Sequence, residues 1–183
     1  VTIPATFPPP SQGKYQVRFD VGTAGLARLG DADVVVWVDA LGRAEAGVDV
    51  SAIAPHAAVL VASLRTRSAV ARWILDHQVE RGRRVAIAIV TATDGETFSS
   101  VDVLAAGAVI DALTTLGIDF TSPEAAVACA AFVGLAGAVG HLFTASVAAG
   151  ELVAAGAVTA GDVRERAVVD ADADVVVLRA PSA

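Results

Sequence analysis

Methionine is absent from this chain and cysteine occurs once. With Cys129 alone, no disulfide can form within the chain. Its Ala-rich setting, "AVACAAF", suits a small core side chain and not a nucleophile. Positive charge is scarce as well: 13 Lys and Arg stand against 20 Asp and Glu, for a formal net charge of −7 and a pI near 4.8. That balance argues against a nucleic-acid surface and against a polybasic membrane patch. The opening stretch "VTIPATFPPPSQGKYQ" has no basic segment followed by an apolar one, so it does not read as a signal peptide. Its proline run instead predicts an extended arm over residues 1–13, ahead of a single domain over 14–183. A cytoplasmic location is the expectation.

Several motifs are also missing. No G-x-S-x-G elbow, Walker loop or G-x-G-x-x-G fingerprint occurs. His56, His77 and His141 share no metal-ligand spacing with one another or with Cys129, and His77 is expected along a helix surface. No charged side chain lies between Ala125 and Gly150, a length sufficient to cross a bilayer. Gly134, Gly137 and Gly140 interrupt that segment, which also holds His141, Thr144 and Ser146, so it reads as two closely packed buried helices broken near Gly140. No membrane partner is expected.

What remains is a surplus of apolar residues, 55% of 183, most of them Ala and Val. Four compact runs stand out: "VVVWV" (34–38), "AVLVA" (58–62), "VAIAIV" (85–90) and "VVVL" (175–178). β-Branched runs without polar alternation are characteristic of strands covered on both faces. "YQVRF" (15–19) alternates better and suits an edge strand. Helical patterns lie between. Residues 66–81 place Val70, Trp73 and Ile74 on one face before a stop at Gly82. Residues 99–116 direct Val103, Leu104, Ala106, Val109, Ile110 and Leu113 inward. Ser122 and Pro123 open another helix as cap and first residue, and 159–169 form a shorter one. Strands separated by helices predict right-handed crossovers and a three-layer α/β/α sandwich with a mostly parallel sheet.

In such sheets ligands gather beyond the carboxyl ends of the strands. There the chain places Asp39 after the first run and Ser63, Arg65, Thr66 and Arg67 after the second. Thr91, Thr93, Asp94, Gly95, Ser99, Ser100 and Asp102 follow the third. Hydroxyls and helix N-termini suit an anion such as phosphate, and carboxylates suit Mg²⁺. The plainer alternatives stand beside these. Ser99 and Asp102 also form the S-x-x-[DE] pattern of a capping box. Asp39 can simply open a turn, and Arg65 and Arg67 can be a solvated helix start.

The order of several stretches adds a resemblance. "KYQVRFDVGTAGLARLGDADVVVWVDAL", "VLVASLRTRSAVARWIL", "FSSVDVLAAGAVIDAL", "SPEAAVACAAF" and "SVAAGELVAAGAVTAGDV" occur in the order seen in the 2-phosphosulfolactate phosphatase (ComB-like) family. The chain resembles that family from about Lys14 onward. Asp39 and Leu41 match its D-V-L-R-[AS]-[TS]-T motif, where Gly42 takes the arginine position and Arg43 follows one place late. Ser63 matches G-S-[FL]-x-N, with Thr66 at the asparagine position. Phe98 and Asp102 match F-[SA]-L-E-D, with Val101 replacing the glutamate. A long central section of the family is reduced here to "RAEAGVDVSAIAPHA".

The resemblance implies a Mg²⁺-dependent phosphatase acting on a small acidic phosphoester. On that basis Asp39, Asp94 and Asp102 are the expected catalytic carboxylates, and Asp39 and Asp102 the metal ligands. Ser63, Thr66, Thr93, Gly95 and Ser99 are the expected phosphate contacts. The shortened middle and Val101 support an alternative, a catalytically lapsed module that binds an anion or a partner. A purely structural role would express itself as a homo-oligomer built through apolar surface.

Overall fold

The computed structural model describes residues 12–42, 48–92 and 98–182. In chain order the elements are β1 (Val17–Val21), α1 (Gly22–Leu29), β2 (Val34–Val38), β3 (Ala58–Ala62), α2 (Arg67–Arg81) and β4 (Ile87–Thr91). Then follow α3 (Ser100–Thr115), α4 (Pro123–Leu135), α5 (Val139–Ala145), α6 (Val147–Ala154), α7 (Ala160–Arg166) and β5 (Val176–Arg179). Short 3₁₀ turns occur at Val50–Ala52, Leu64–Thr66 and Ala136–Ala138. The strands form one sheet in the order β1-β4-β2-β3-β5, parallel except for β5, which runs antiparallel to β3.

This order sets the layers. The steps from β1 to β2 and from β2 to β3 both move toward the β5 edge, and the step from β3 to β4 moves back. Right-handed crossovers that step in opposite directions must lie on opposite faces. Accordingly Leu29 of α1 and Ile53 pack on one face with Val35, Trp37, Val59, Ala88 and Val90. Helices α2, α3 and α4 pack on the other, against Val34, Val36, Val38, Leu60, Ile87 and Ile89. The α/β/α sandwich is therefore present. The uniformly apolar strand sequences conceal a period of two in which alternate residues serve different cores.

β1 is an edge strand whose polar positions face α1. Arg18 donates to the carbonyls of Leu29 (2.6 Å) and Asp31 (2.7 Å), satisfying the end of α1 that its own ladder leaves open. Helix α1 has no side-chain cap and carries Gly22 and Gly25, so no start signal marks it in the sequence. Across the sheet, α3 and α4 pack so closely that a Cβ on Gly107 would lie 2.1 Å from the Ala128 carbonyl oxygen.

Three expectations need correction. β5 is antiparallel and half-exposed, with Val176 at 50% exposure, because no strand or helix covers its outer side among the described residues. The segment after Pro123 is not a pair of buried helices. It forms α4, α5 and α6, broken at Ala136–Ala138 and again at Ser146, whose hydroxyl accepts from the Ala149 N–H. Only 22% of its most apolar window is buried, and Val127 and Val147 are each 71% exposed. By length and composition Pro123–Ala154 would also be apolar enough to cross a membrane. His77 is buried, stacked on Trp73 with ring centroids 5.3 Å apart, because the α2 face it occupies turns toward the core. The expected N-terminal arm lies almost wholly outside the described residues. Of that arm Gln12 is described, and it is fixed to β1 by bonds to the Phe19 N–H and carbonyl.

Two outcomes follow. Gly107→Ala should destabilise the protein by about 1–3 kcal/mol in urea unfolding, since helix backbones must separate to admit a methyl group. An unchanged midpoint would contradict the close approach. Burial, followed by the positive charge of Arg81, holds the His77 imidazole below its ordinary pKa. The unfolded chain then binds the extra proton first as the solution is acidified. Stability should be complete above pH ~6.5 and fall below it, and His77→Phe should flatten that part of the pH profile.

Candidate functional site

The parallel pairing fixes where chemistry can gather. Val38 is level with Ala62 and with Thr91, and Thr91 is level with Val21. The four parallel strands thus end on one row, and the residues just beyond them, Gly22, Asp39, Ser63 and Ala92, form a common rim. Connections leave β2 and β3 toward opposite faces, which opens a crevice between their ends. A cleft of about 420 Å³ occupies it, lined by Asp39, Gly42, Ser63, Thr66 and, from α7, Arg166.

Each side chain here is positioned by local structure. Asp39 is nearly buried and its carboxylate accepts from the Leu41 N–H at 3.3 Å, so it opens a turn while lining the cleft. Ser63 and Thr66 form a reciprocal capping box around the Leu64–Thr66 turn. Ser63 Oγ accepts from the Arg65 N–H (3.2 Å) and Thr66 Oγ1 from the Ser63 N–H (3.1 Å). Both oxygens are used as acceptors in this box, which leaves both hydroxyl hydrogens to donate.

Asp102 is placed differently. It is fully buried in the first turn of α3, and its Oδ1 accepts from the Ala40 N–H at 2.9 Å. Ser99 Oγ in turn caps α3 by accepting from the Asp102 N–H. The carboxylate therefore ties α3 to the end of β2 and is not part of the cleft lining. Thr93, Asp94 and Gly95 lie outside the described residues. Asp39, Ser63 and Thr66 are brought together; Asp102 and Ser99 do not line the cleft.

Arg65 and Arg67 are both ion-paired with the segment before β5, and Arg65 also lines the cleft. Arg65 forms a forked pair with Asp172 (2.7 and 2.8 Å) and donates to the Glu165 carbonyl. Arg67 bonds Asp170 and Asp111 and lies over the Phe132 ring. Together they clamp the segment leading to β5 against the start of α2. The hydrogen bonds from Arg65 hold the Asp172 carboxyl below the usual carboxylate range.

Arg166 was invisible as a site residue in the sequence. It sits over Gly42, whose absent side chain leaves the room: a Cβ there would lie 3.2 Å from Arg166 Nη1. Gly42 has φ of +63°, which also favours glycine. Arg166 Nη1 is buried with no acceptor among the described residues. The acid-rich "DADAD" before β5 was the available signal that this part of the chain returns to the rim. Asp162, Glu165 and Asp172 also line the cleft, so its carboxylates outnumber its guanidinium groups.

For Mg²⁺, the described residues contain no group of three or more His, Cys, Asp or Glu side chains. Asp39 is the metal-suited carboxylate of the β2–β3 crevice itself, and Mg²⁺ commonly takes one or two carboxylates with water and substrate phosphate completing its shell. The cleft fits that minimal arrangement. Cys129 is not a competing reactive group, since burial and then the Asp111 charge raise its thiol pKa above the ordinary value.

No protein-family model matches this chain, and no curated protein matches it.

Removing the buried tie should be measurable. Asp102→Ala leaves the Ala40 N–H without this acceptor and should lower stability by about 1–3 kcal/mol in urea unfolding. Asp102→Asn keeps a carbonyl oxygen in place and should lose less. Equal stability of Asp102→Ala and the parent protein would remove the structural role assigned to this carboxylate.

Proposed function

We propose that the cleft between the ends of β2 and β3 binds a small phosphoester together with Mg²⁺, and that the protein is a phosphatase-like hydrolase. One observation carries the reading. The hydroxyl hydrogens of Ser63 and Thr66 and the guanidinium of Arg166 border a single cleft at a strand-order reversal. These are donors suited to phosphate oxygens. The excess of carboxylates would repel a bare dianion, and a divalent cation bound with the phosphate removes that repulsion. The likeness of the strand-end motifs to the 2-phosphosulfolactate phosphatase family supports the same reading.

In this mechanism Ser63, Thr66 and Arg166 hold the phosphoryl oxygens, and Asp39 orients a water molecule in line with the ester bond. Mg²⁺, held by Asp39, would supply charge neutralisation at the phosphate. Water adds to phosphorus and gives up a proton, the phosphorus–oxygen ester bond breaks, and the departing alkoxide takes up that proton to leave as an alcohol, with inorganic phosphate as the second product.

A second reading, anion binding without turnover, is favoured by Val101. This residue stands where the family has glutamate, and it is fully buried in the main core.

The two are separated by one pair of measurements. Inorganic phosphate with Mg²⁺ at a hundredfold excess over Kd should raise Tm by about 5–10 °C. Phosphate release from small phosphomonoesters that also carry a carboxylate or sulfonate should require Mg²⁺ and fall about 10²–10³-fold in Asp39→Asn. Stabilisation without release selects the binding module. Neither stabilisation nor release overturns both.

A further inference from the structure

Beyond Glu124, helix α4 has no polar side. Its inner side sets Ala125, Ala128 and Phe132 into the core. Its outer side carries Val127, Ala130 and Gly134, three and four residues apart, with Ala126 and Val133 beside them, all exposed. Val127 is 71% exposed and Val133 57%. Exposed apolar positions continue at Leu135, Val147 and Val153. A helix that is apolar all round is ordinarily covered all round, and this outer side has no cover among the described residues.

The chemistry of the face selects what covers it. From Ala125 to Gly150 it holds no Asp, Glu, Lys or Arg, so a partner recognised through ion pairs finds nothing to pair with. A lipid surface fits poorly. Helices that lie on membranes hold them with basic and aromatic side chains. This face has no Trp or Tyr, its two phenylalanines point inward, and the formal net charge of −7 opposes anionic headgroups. An uncharged apolar face is matched by another of the same kind, and the chain itself supplies one: the same face on a second copy, brought round by a two-fold axis.

Size and backbone agree with that occupant. Pro123–Ala154 contains 32 residues. At about 1.5 Å of rise each and about 10 Å of width, such a length offers roughly 500 Å² per copy, so a pair encloses roughly 1,000 Å², where specific interfaces begin. A Cβ on Gly134 would meet nothing within 4 Å, so packing inside the chain does not account for a glycine that weakens the helix. Across a two-fold axis it lets two backbones approach, as Gly107 does between α3 and α4.

We propose that the protein is a homodimer joined through the outer side of α4, with Val127, Ala130 and Gly134 at the centre of the interface and Leu135, Val147 and Val153 extending it. No residue of this face lines the strand-end cleft, so each copy keeps its own cleft and the dimer stands whether or not that cleft binds phosphate.

Sedimentation equilibrium of the full chain between about 1 and 500 µM should fit a monomer–dimer equilibrium with Kd of about 10⁻⁴ M or below. Tm should rise with protein concentration. Val127→Arg and Ala130→Arg change exposed positions and should remain folded by circular dichroism. Each should weaken association about a hundredfold or more, because the two-fold axis sets like charges from both copies in one interface. Val79→Arg, at a position on α2 that is also 71% exposed but away from this face, should dimerise as the parent does. On flotation with phosphatidylcholine vesicles the protein should stay at the bottom of the gradient. A monomer at every concentration overturns the proposal, as does a dimer that survives both Val127→Arg and Ala130→Arg. So does loss of the dimer in Val79→Arg, and so does a protein that floats with the vesicles while remaining monomeric without them, which would assign the face to lipid.

Discussion

Four parallel strands ending on one row are the constraint on which the rest of this molecule depends. Val21, Thr91, Val38 and Ala62 are held level by main-chain pairing, and every group assigned to the strand-end cleft is displayed one to four residues beyond that row or returns to it. Slipping one strand by a single residue would exchange its two apolar faces and carry its polar end away from its neighbours. The register is protected by size: Trp37 fills one face of β2 while Val34, Val36 and Val38 fill the other. Asp102 strengthens the same arrangement by bonding the start of α3 to the end of β2.

Charge in this protein is used mainly for fastening. Arg18 closes the end of α1, Arg65 and Arg67 clamp the segment before β5, and Arg179 bonds the carbonyls of Val50, Ile53, Ala54 and Ala57. Each of these guanidinium groups meets main-chain carbonyls, carboxylates or both, in the geometry that the planar fork favours. Arg166 differs: it overlies a glycine and retains a buried N–H without an acceptor among the described residues.

The apolar helices after Pro123 show how far composition can mislead. A charge-free run of Ala and Val looks the same whether it is enclosed or lies on a surface, and here much of it lies on a surface. Ala exposes little area, so a helix rich in it can remain outward without the driving force that would bury Leu or Phe. The two phenylalanines of this region, Phe132 and Phe143, are turned inward, whereas Leu135 and several valines stay exposed.

The strands, most helices and their alternation were legible in the sequence because β-branched runs, Ser122-Pro123 and the αL-compatible Gly82 act over a few residues. So were Asp39, Ser63 and Thr66, since strand ends follow directly from strand positions. Local patterning determined that much. The tertiary structure alone decided that β5 runs antiparallel, that Arg166 and Asp172 come back to the rim, and that Asp102 bonds the chain just past β2. Those outcomes rest on contacts between residues far apart in the chain, and no short-range spacing encodes which distant carboxylate will meet which guanidinium.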